Sequence, residues 1–173
     1  MNYLKHDYRF IRLYLQKFRC MHTNGPIIII DDDEDDRSVM GRVFKEVLSA
    51  NAYKNQVIFF ADGVSALEYL TTIEIKPFLI ISDINMPLMD GFELRERILN
   101  EGLLSGDHIP YIFLTTGDSN LDHIKKAFAL SIQGYFVKPD SYPGFITIVD
   151  NFVRYWKYSL SPVSVNFTGK RLP

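Results

Sequence analysis

Three carboxylates in this 173-residue chain, Asp31, Asp32 and Asp83, each follow a short run of apolar, largely β-branched residues, and Lys138 follows another such run. An acid placed directly after a buried strand is delivered to the end of a sheet, where open α/β folds bind their ligands, and not to an ordinary surface loop. Ile27-Ile28-Ile29-Ile30 runs into Asp31-Asp32, and Ile81-Ser82 runs into Asp83. If these two strands are neighbours, three carboxylates meet at one edge. Like charges about 5 Å apart at an effective dielectric near 20 repel by about 3 kcal/mol per pair. Such a cluster calls for a cation, a raised pKa, or both. All-oxygen ligation with room for water is what Mg²⁺ takes. Lys138-Pro139, just past Tyr135-Phe136-Val137, supplies an ammonium that can reach a carboxylate or a phosphoryl oxygen. Thr115-Thr116-Gly117 ends a fourth run and adds a hydroxyl at the same edge.

A charge run by itself is ordinary solvated surface, and within residues 31–36 Asp35 and Asp36 are expected to be of that kind, favouring a positive helix N-terminus. Asp31 and Asp32 differ because a strand delivers them.

The elements that must position these groups alternate regularly. Ile27–Ile30, Val57–Phe60, Phe78–Ile81, Tyr111–Leu114 and Tyr135–Val137 read as strands. Between them, Val39, Val43, Phe44 and Val47 share a helical face over 35–49, and Ala66, Leu67 and Leu70 share another after Asp62. Asp90 with Glu93 gives a capping-box-like start to a helix carrying Leu94 and Ile98. Ser119 and Asp122 are expected to open the helix bearing Ile124, Ala127 and Phe128, and Phe145, Ile148, Phe152 and Trp156 form the stripe of the last one. Five β-α units in succession predict an α/β fold of the flavodoxin-like, doubly wound kind: a five-stranded parallel sheet with helices on both faces, (βα)5.

Composition narrows the function classes. Apolar residues make up 47% and charged residues 23%, which is ordinary for a globular chain of this length. The single cysteine, Cys20, excludes an intrachain disulfide framework and a cysteine-only zinc site. No apolar run reaches the ~20 residues that span a bilayer, so no membrane insertion is expected. The net charge of −2 gives no case for nucleic acid as a partner. That charge is unevenly spread. Residues 26–158 carry 12 basic and 20 acidic side chains, while 1–25 set Lys5, Arg9, Arg12, Lys17 and Arg19 against Asp7 alone. Tyr8, Ile11, Leu15 and Phe18 would line one face of a basic helix there, suited to a membrane surface, a partner or a targeting role. The plainer expectation is that translation starts at Met21, five residues ahead of Pro26. Residues 159–173 read as a tail. His6, His22, His108 and His123 have no paired arrangement and are expected at the surface.

Asp31-Asp32, the block Asp83-Ile84-Asn85-Met86-Pro87-Leu88-Met89-Asp90-Gly91, Thr116-Gly117 and Tyr135-Phe136-Val137-Lys138-Pro139 together resemble a response-regulator receiver domain, in order, over residues 26–158. No output domain is expected behind it, and this stretch is similar to the stand-alone, chemotaxis-type receivers of two-component signalling.

The resemblance implies a cytoplasmic phosphoprotein in which Asp83 accepts a phosphoryl group from a sensor histidine kinase or histidine phosphotransfer protein and then controls binding to a downstream target protein. It implies Mg²⁺ held by Asp32 and Asp83, by the backbone carbonyl of Asn85, and by Asp31 through water. Lys138 would pair with the phosphoryl group and a threonine hydroxyl would close on it. Spacing to Lys138 favours Thr116, with Thr115 the alternative if the loop carries an extra residue. Tyr135 matches the aromatic that turns inward on activation, and Asn85 and Asp118 are expected to tune the phosphoryl lifetime. Two other readings remain at this stage. One is a Mg²⁺-dependent phosphohydrolase with an aspartyl nucleophile, against which stands Asn85 where a general acid belongs. The other is an interaction module independent of phosphorylation.

Overall fold

The computed structural model describes residues 23–104, 109–117 and 120–159. The expectations for the basic N-terminal stretch and for the tail beyond 159 fall outside these residues. Strands β1 (Ile27–Ile30), β2 (Val57–Phe60), β3 (Leu79–Ser82), β4 (Tyr111–Thr115) and β5 (Gly134–Val137) form one parallel sheet in the order β2-β1-β3-β4-β5. Helices α1 (Glu34–Ala50), α2 (Gly63–Thr72), α3 (Gly91–Asn100), α4 (Leu121–Ala129) and α5 (Tyr142–Tyr158) connect and follow them. This is the flavodoxin-like doubly wound arrangement. Among the described residues no helix is long and apolar enough to cross a membrane.

Strand alternation splits the core into two layers. Ile28, Ile30, Ile80, Tyr111 and Phe113 pack with α2, α3 and α4, while Ile27, Ile29, Ile81, Ile112 and Leu114 pack with α1 and α5. Helix starts follow their capping residues: Asp33, Asp62, Asp90 and Ser141 each accept a hydrogen bond from a backbone N–H of the first turn.

Two helical details differ from the sequence expectation. Asn120, not Ser119, caps α4 through the Asp122 N–H. That helix buries only Ala127 fully and leaves Phe128 53% exposed, because so short an element rests a single small residue on the sheet. On α5 the buried line is Phe145, Val149, Phe152 and Val153, with Ile148 and Trp156 half-buried at its margin. A helix seated between a sheet and α1 is covered over a wider arc than one stripe describes.

Tyr111 is fully buried, with the Arg95 guanidinium 4.9 Å above its ring. Burial pushes its phenol up to about 12, with Ser82 and Arg95 opposing the rise. The folded state therefore keeps a proton that the unfolded chain loses above about pH 10, so stability falls from there toward pH 12, by at most about 1.4 kcal/mol per pH unit. Urea denaturation of wild type and Tyr111→Phe between pH 9 and 12 is expected to show a steeper fall in wild type, the slope left in the variant coming from groups such as Lys138. Equal slopes would contradict it.

Candidate phosphoacceptor and metal site

The register of β1 against β3 pairs Ile30 with Ser82, so the residues that follow, Asp31 and Asp83, emerge side by side. The Asp83 N–H extends the ladder to the Ile30 carbonyl at 2.8 Å, and the Asp31 N–H reaches the Phe60 carbonyl at 3.0 Å. Asp32 comes up beside them, exposed. One carboxylate oxygen from each of the three acids lies within 4.8 Å of the others.

Asp83 is 6% exposed, and its two oxygens have different neighbours. Oδ1 accepts the Ile84 N–H at 2.6 Å, which fixes the rotamer. Oδ2 faces the Lys138 ammonium at 3.4 Å. Lys138 also meets Asp31 at 2.8 Å and Asp36 at 2.6 Å. Its backbone N–H bonds the Thr115 carbonyl at 2.8 Å, so β4 and β5 hold the stem of the lysine in place.

The electrostatics follow from burial and partners. Burial pushes Asp31 up to about 6, with Lys138 restraining the rise and Asp83 adding to it. Burial works against the Lys138 ammonium, but Asp31 and Asp36 outweigh it and, with Asp83, raise the lysine above its ordinary value. The backbone N–H groups of Asp36 and Asp35 lower the exposed Asp33.

A cavity of about 520 Å³ opens over these groups, bounded by residues 32–36 on one side and by Asp83, Asn85, Thr116 and Lys138 on the other. The two threonines separate. Thr116 is exposed and lines the cavity, whereas Thr115 is buried at the end of β4. By strand alternation Thr115 falls on the face of Phe113, and Tyr135 packs half-buried against that layer, its ring 6.5 Å from Phe113. Asn85 is exposed at the cavity edge. Asp118 lies outside the described residues. His123 is half-buried, edge-on to Phe92 at 5.7 Å, and is not a plain surface histidine.

Asp36 is a correction. Sequence reasoning placed it on the solvated face, yet its side chain turns inward to Lys138. Helical spacing carried the signal: Asp36 stands one turn before Met40 on the stripe continued by Val43, Phe44 and Val47, all buried. Arg37 was also missed; its guanidinium donates to the Asp31 carbonyl at 2.6 Å.

The loop after Asp83 is held by close packing. Gly91 donates its N–H to the Ile84 carbonyl at 2.8 Å, and a Cβ there would stand 2.3 Å from the Asp83 carbonyl. Gly91→Ala is expected to destabilise the protein by about 1–3 kcal/mol and to displace Asp83. Calorimetry would show the lowered Tm, and an unchanged Tm would refute the contact.

A family model for the response regulator receiver domain matches residues 27–150. The probable methanogenesis regulatory protein FilR2 of Methanothrix harundinacea is 25% identical over 134 residues, 75% of this chain and 82% of that protein. Response regulator Rcp1 of Synechocystis is 26% identical over 141 residues, 78% of this chain and 91% of that protein. The crystal structure of the phosphorylated cyanobacterial phytochrome response regulator RcpA superposes with a TM-score of 0.67 at 26% identity, covering 80% of this chain and 98% of that one. The Mn²⁺-bound form of Rcp1 gives 0.63 at 25% identity, over 79% and 96%.

Proposed function

Because the chain belongs to the response-regulator receiver family, we propose that it is a phosphorylation switch whose acceptor is Asp83. The observation that carries this is the convergence of three carboxylates and Lys138 at one sheet edge, under an open cavity. Asp83 Oδ2 attacks the phosphorus of a phosphohistidine on a kinase or phosphotransfer protein, the N–P bond breaks, and an acyl phosphate forms. Lys138, held at 3.4 Å, balances charge on the transferring oxygens.

The acid trio fits a divalent cation: all donors are oxygens, two carboxylates are buried and one is exposed toward solvent. Asp31, Asp32 and Asp83 would hold Mg²⁺ with the Asn85 carbonyl. Bound there, Mg²⁺ supplies neutralisation of phosphoryl charge. The Mn²⁺-bound form of the relative Rcp1 supports the same use here.

We assign the hydroxyl that closes on the phosphoryl oxygens to Thr116, which lines the cavity, and coupling to Tyr135 to Thr115, which shares its face. Thr116→Val is expected to slow phosphorylation several-fold. Thr115→Val should label normally and lose the change in the Tyr135 ring resonances on phosphorylation. The reverse pattern would exchange the two roles. The switched surface is that of α4, β5 and α5, where Leu121, Phe128 and Val137 expose apolar area to a target protein. Asn85 at the rim tunes the phosphoryl lifetime, and Asp118 is assigned the same role from its place in the sequence.

The test is incubation with acetyl phosphate and Mg²⁺, followed by intact-mass measurement. One labile phosphoryl group per chain is expected. No adduct in the presence of Mg²⁺ would sink the reading. Multiple turnover of small phosphate esters would favour a hydrolase, which Asn85 argues against because an amide cannot relay a proton at neutral pH.

A further inference from the structure

The carboxylate closest to the Lys138 ammonium is not the proposed acceptor. Asp36 Oδ2 stands at 2.6 Å, against 2.8 Å for Asp31 and 3.4 Å for Asp83. An ammonium has three donors, and these three acids take them all. A phosphoryl oxygen arriving on Asp83 therefore competes for a lysine already occupied.

Asp36 is placed to be that competitor. It sits in the first turn of α1, its side chain 27% exposed, and its own N–H is tied to Asp33 Oδ1 at 3.1 Å. Asp31 and Asp83 belong to the trio fitted to a cation, whereas Asp36 lies outside that trio and its side-chain partner is Lys138. The contact joins the start of α1 to the end of β5, residues 102 apart in sequence.

We propose that Asp36 is a positioning residue that holds Lys138 in the unphosphorylated state and so slows phosphorylation of Asp83. Removing its charge frees the lysine for the incoming phosphoryl group. This rests on the receiver reading above, and the experiment separates the two.

Phosphorylation by acetyl phosphate at saturating Mg²⁺ is followed by intact mass across donor concentrations, for wild type, Asp36→Asn, Asp36→Glu and Asp35→Asn. Asp35 is the charge control: it borders the same cavity one residue away, and its loss changes the net charge equally. General repulsion of an anionic donor moves the donor concentration for half-maximal rate, whereas release of Lys138 raises the maximal rate itself. Asp36→Asn is expected to raise that maximum about 3- to 10-fold, less than the full worth of one charge-assisted hydrogen bond because Asp31 still holds the lysine. Asp35→Asn should leave it unchanged and Asp36→Glu should stay near wild type. Equal maxima for Asp36→Asn and Asp35→Asn, or a lower one for Asp36→Asn, overturn the proposal. Should Asp36→Asn fail to fold, Asp36→Ser is read against the same control. If wild type takes no phosphoryl group the phosphorylation-switch reading falls and this proposal with it. If wild type labels and only the difference is missing, this proposal falls alone.

Discussion

Asp83→Asn is expected to reduce phosphorylation by acetyl phosphate to background while making the metal-free protein more stable. The loss follows because the amide has no anionic oxygen to attack phosphorus, and Asp31, the other buried carboxylate at this edge, is held closer by Lys138, at 2.8 Å against 3.4 Å. The gain follows from the company Asp83 keeps. It lies within 4.8 Å of two other acids, while its contact with Lys138, at 3.4 Å, is the longest of the three that lysine makes. Removing one of three crowded charges relieves repulsion of about 3 kcal/mol per pair at an effective dielectric near 20, offset in part by the lost attraction to Lys138. The net expectation is a rise of about 1 kcal/mol in unfolding free energy without metal. Added Mg²⁺ should stabilise wild type more than the variant. Paired urea melts with Mg²⁺ and with chelator measure both effects. A variant that labels at the wild-type rate would move the acceptor elsewhere.

Lys138→Ala is the converse case and the more damaging one to the fold. The side chain is 6% exposed and neutralises Asp31, Asp36 and Asp83 together. Truncating one partner of a buried ionic cluster leaves the others uncompensated, a loss of about 3–5 kcal/mol. With its pKa raised, the lysine stays charged through acid and neutral pH, so the pH dependence there comes from the carboxylates around it, Asp31 above all. The lysine's own contribution is fully present below the ordinary lysine value and is lost as pH rises through the folded value. The variant's deficit should shrink in acid, where the carboxylates it exposes take up protons. Chemical denaturation at pH 5 and pH 7.5 checks this, and a deficit independent of pH would contradict the cage. Phosphorylation of whatever folds should slow by about 10²-fold, the usual effect of removing one donor to developing negative charge.

The frame was legible because its signals are local. Four consecutive isoleucines at Ile27–Ile30 leave little alternative to a strand buried on both faces, and Asp62 and Asp90 announce the helices they cap. The convergence of Asp31 with Asp83 was legible only on the condition that β1 and β3 pair, which no local signal settles and the sheet order supplies. Asp36 was misplaced because composition outweighed periodicity: in a run of six acids, the one aligned with Met40 looks like its neighbours. The choice between Thr115 and Thr116 turned on where β4 stops, and a strand end is set by the partner strand. Here Thr115 still pairs with Val137 and Thr116 does not. Gly91 could be read as part of a motif, but its necessity is tertiary, a backbone approach across eight residues that no spacing rule expresses.

The position of β3 in the middle of the sheet has a dynamic consequence. Its residues are covered on both faces and hydrogen-bonded on both edges, so their amides exchange with solvent only when the whole molecule opens. Lys138 instead hangs from β5, a margin strand with one edge unpaired within this sheet and three of its four residues at least partly exposed. Sub-global opening there is far less demanding than at β3. The proposed nucleophile thus directly follows the central strand of the sheet, and its counter-charge follows a margin strand. Opening at the margin would move the strand that carries the lysine while the strand before the aspartate stays paired on both edges.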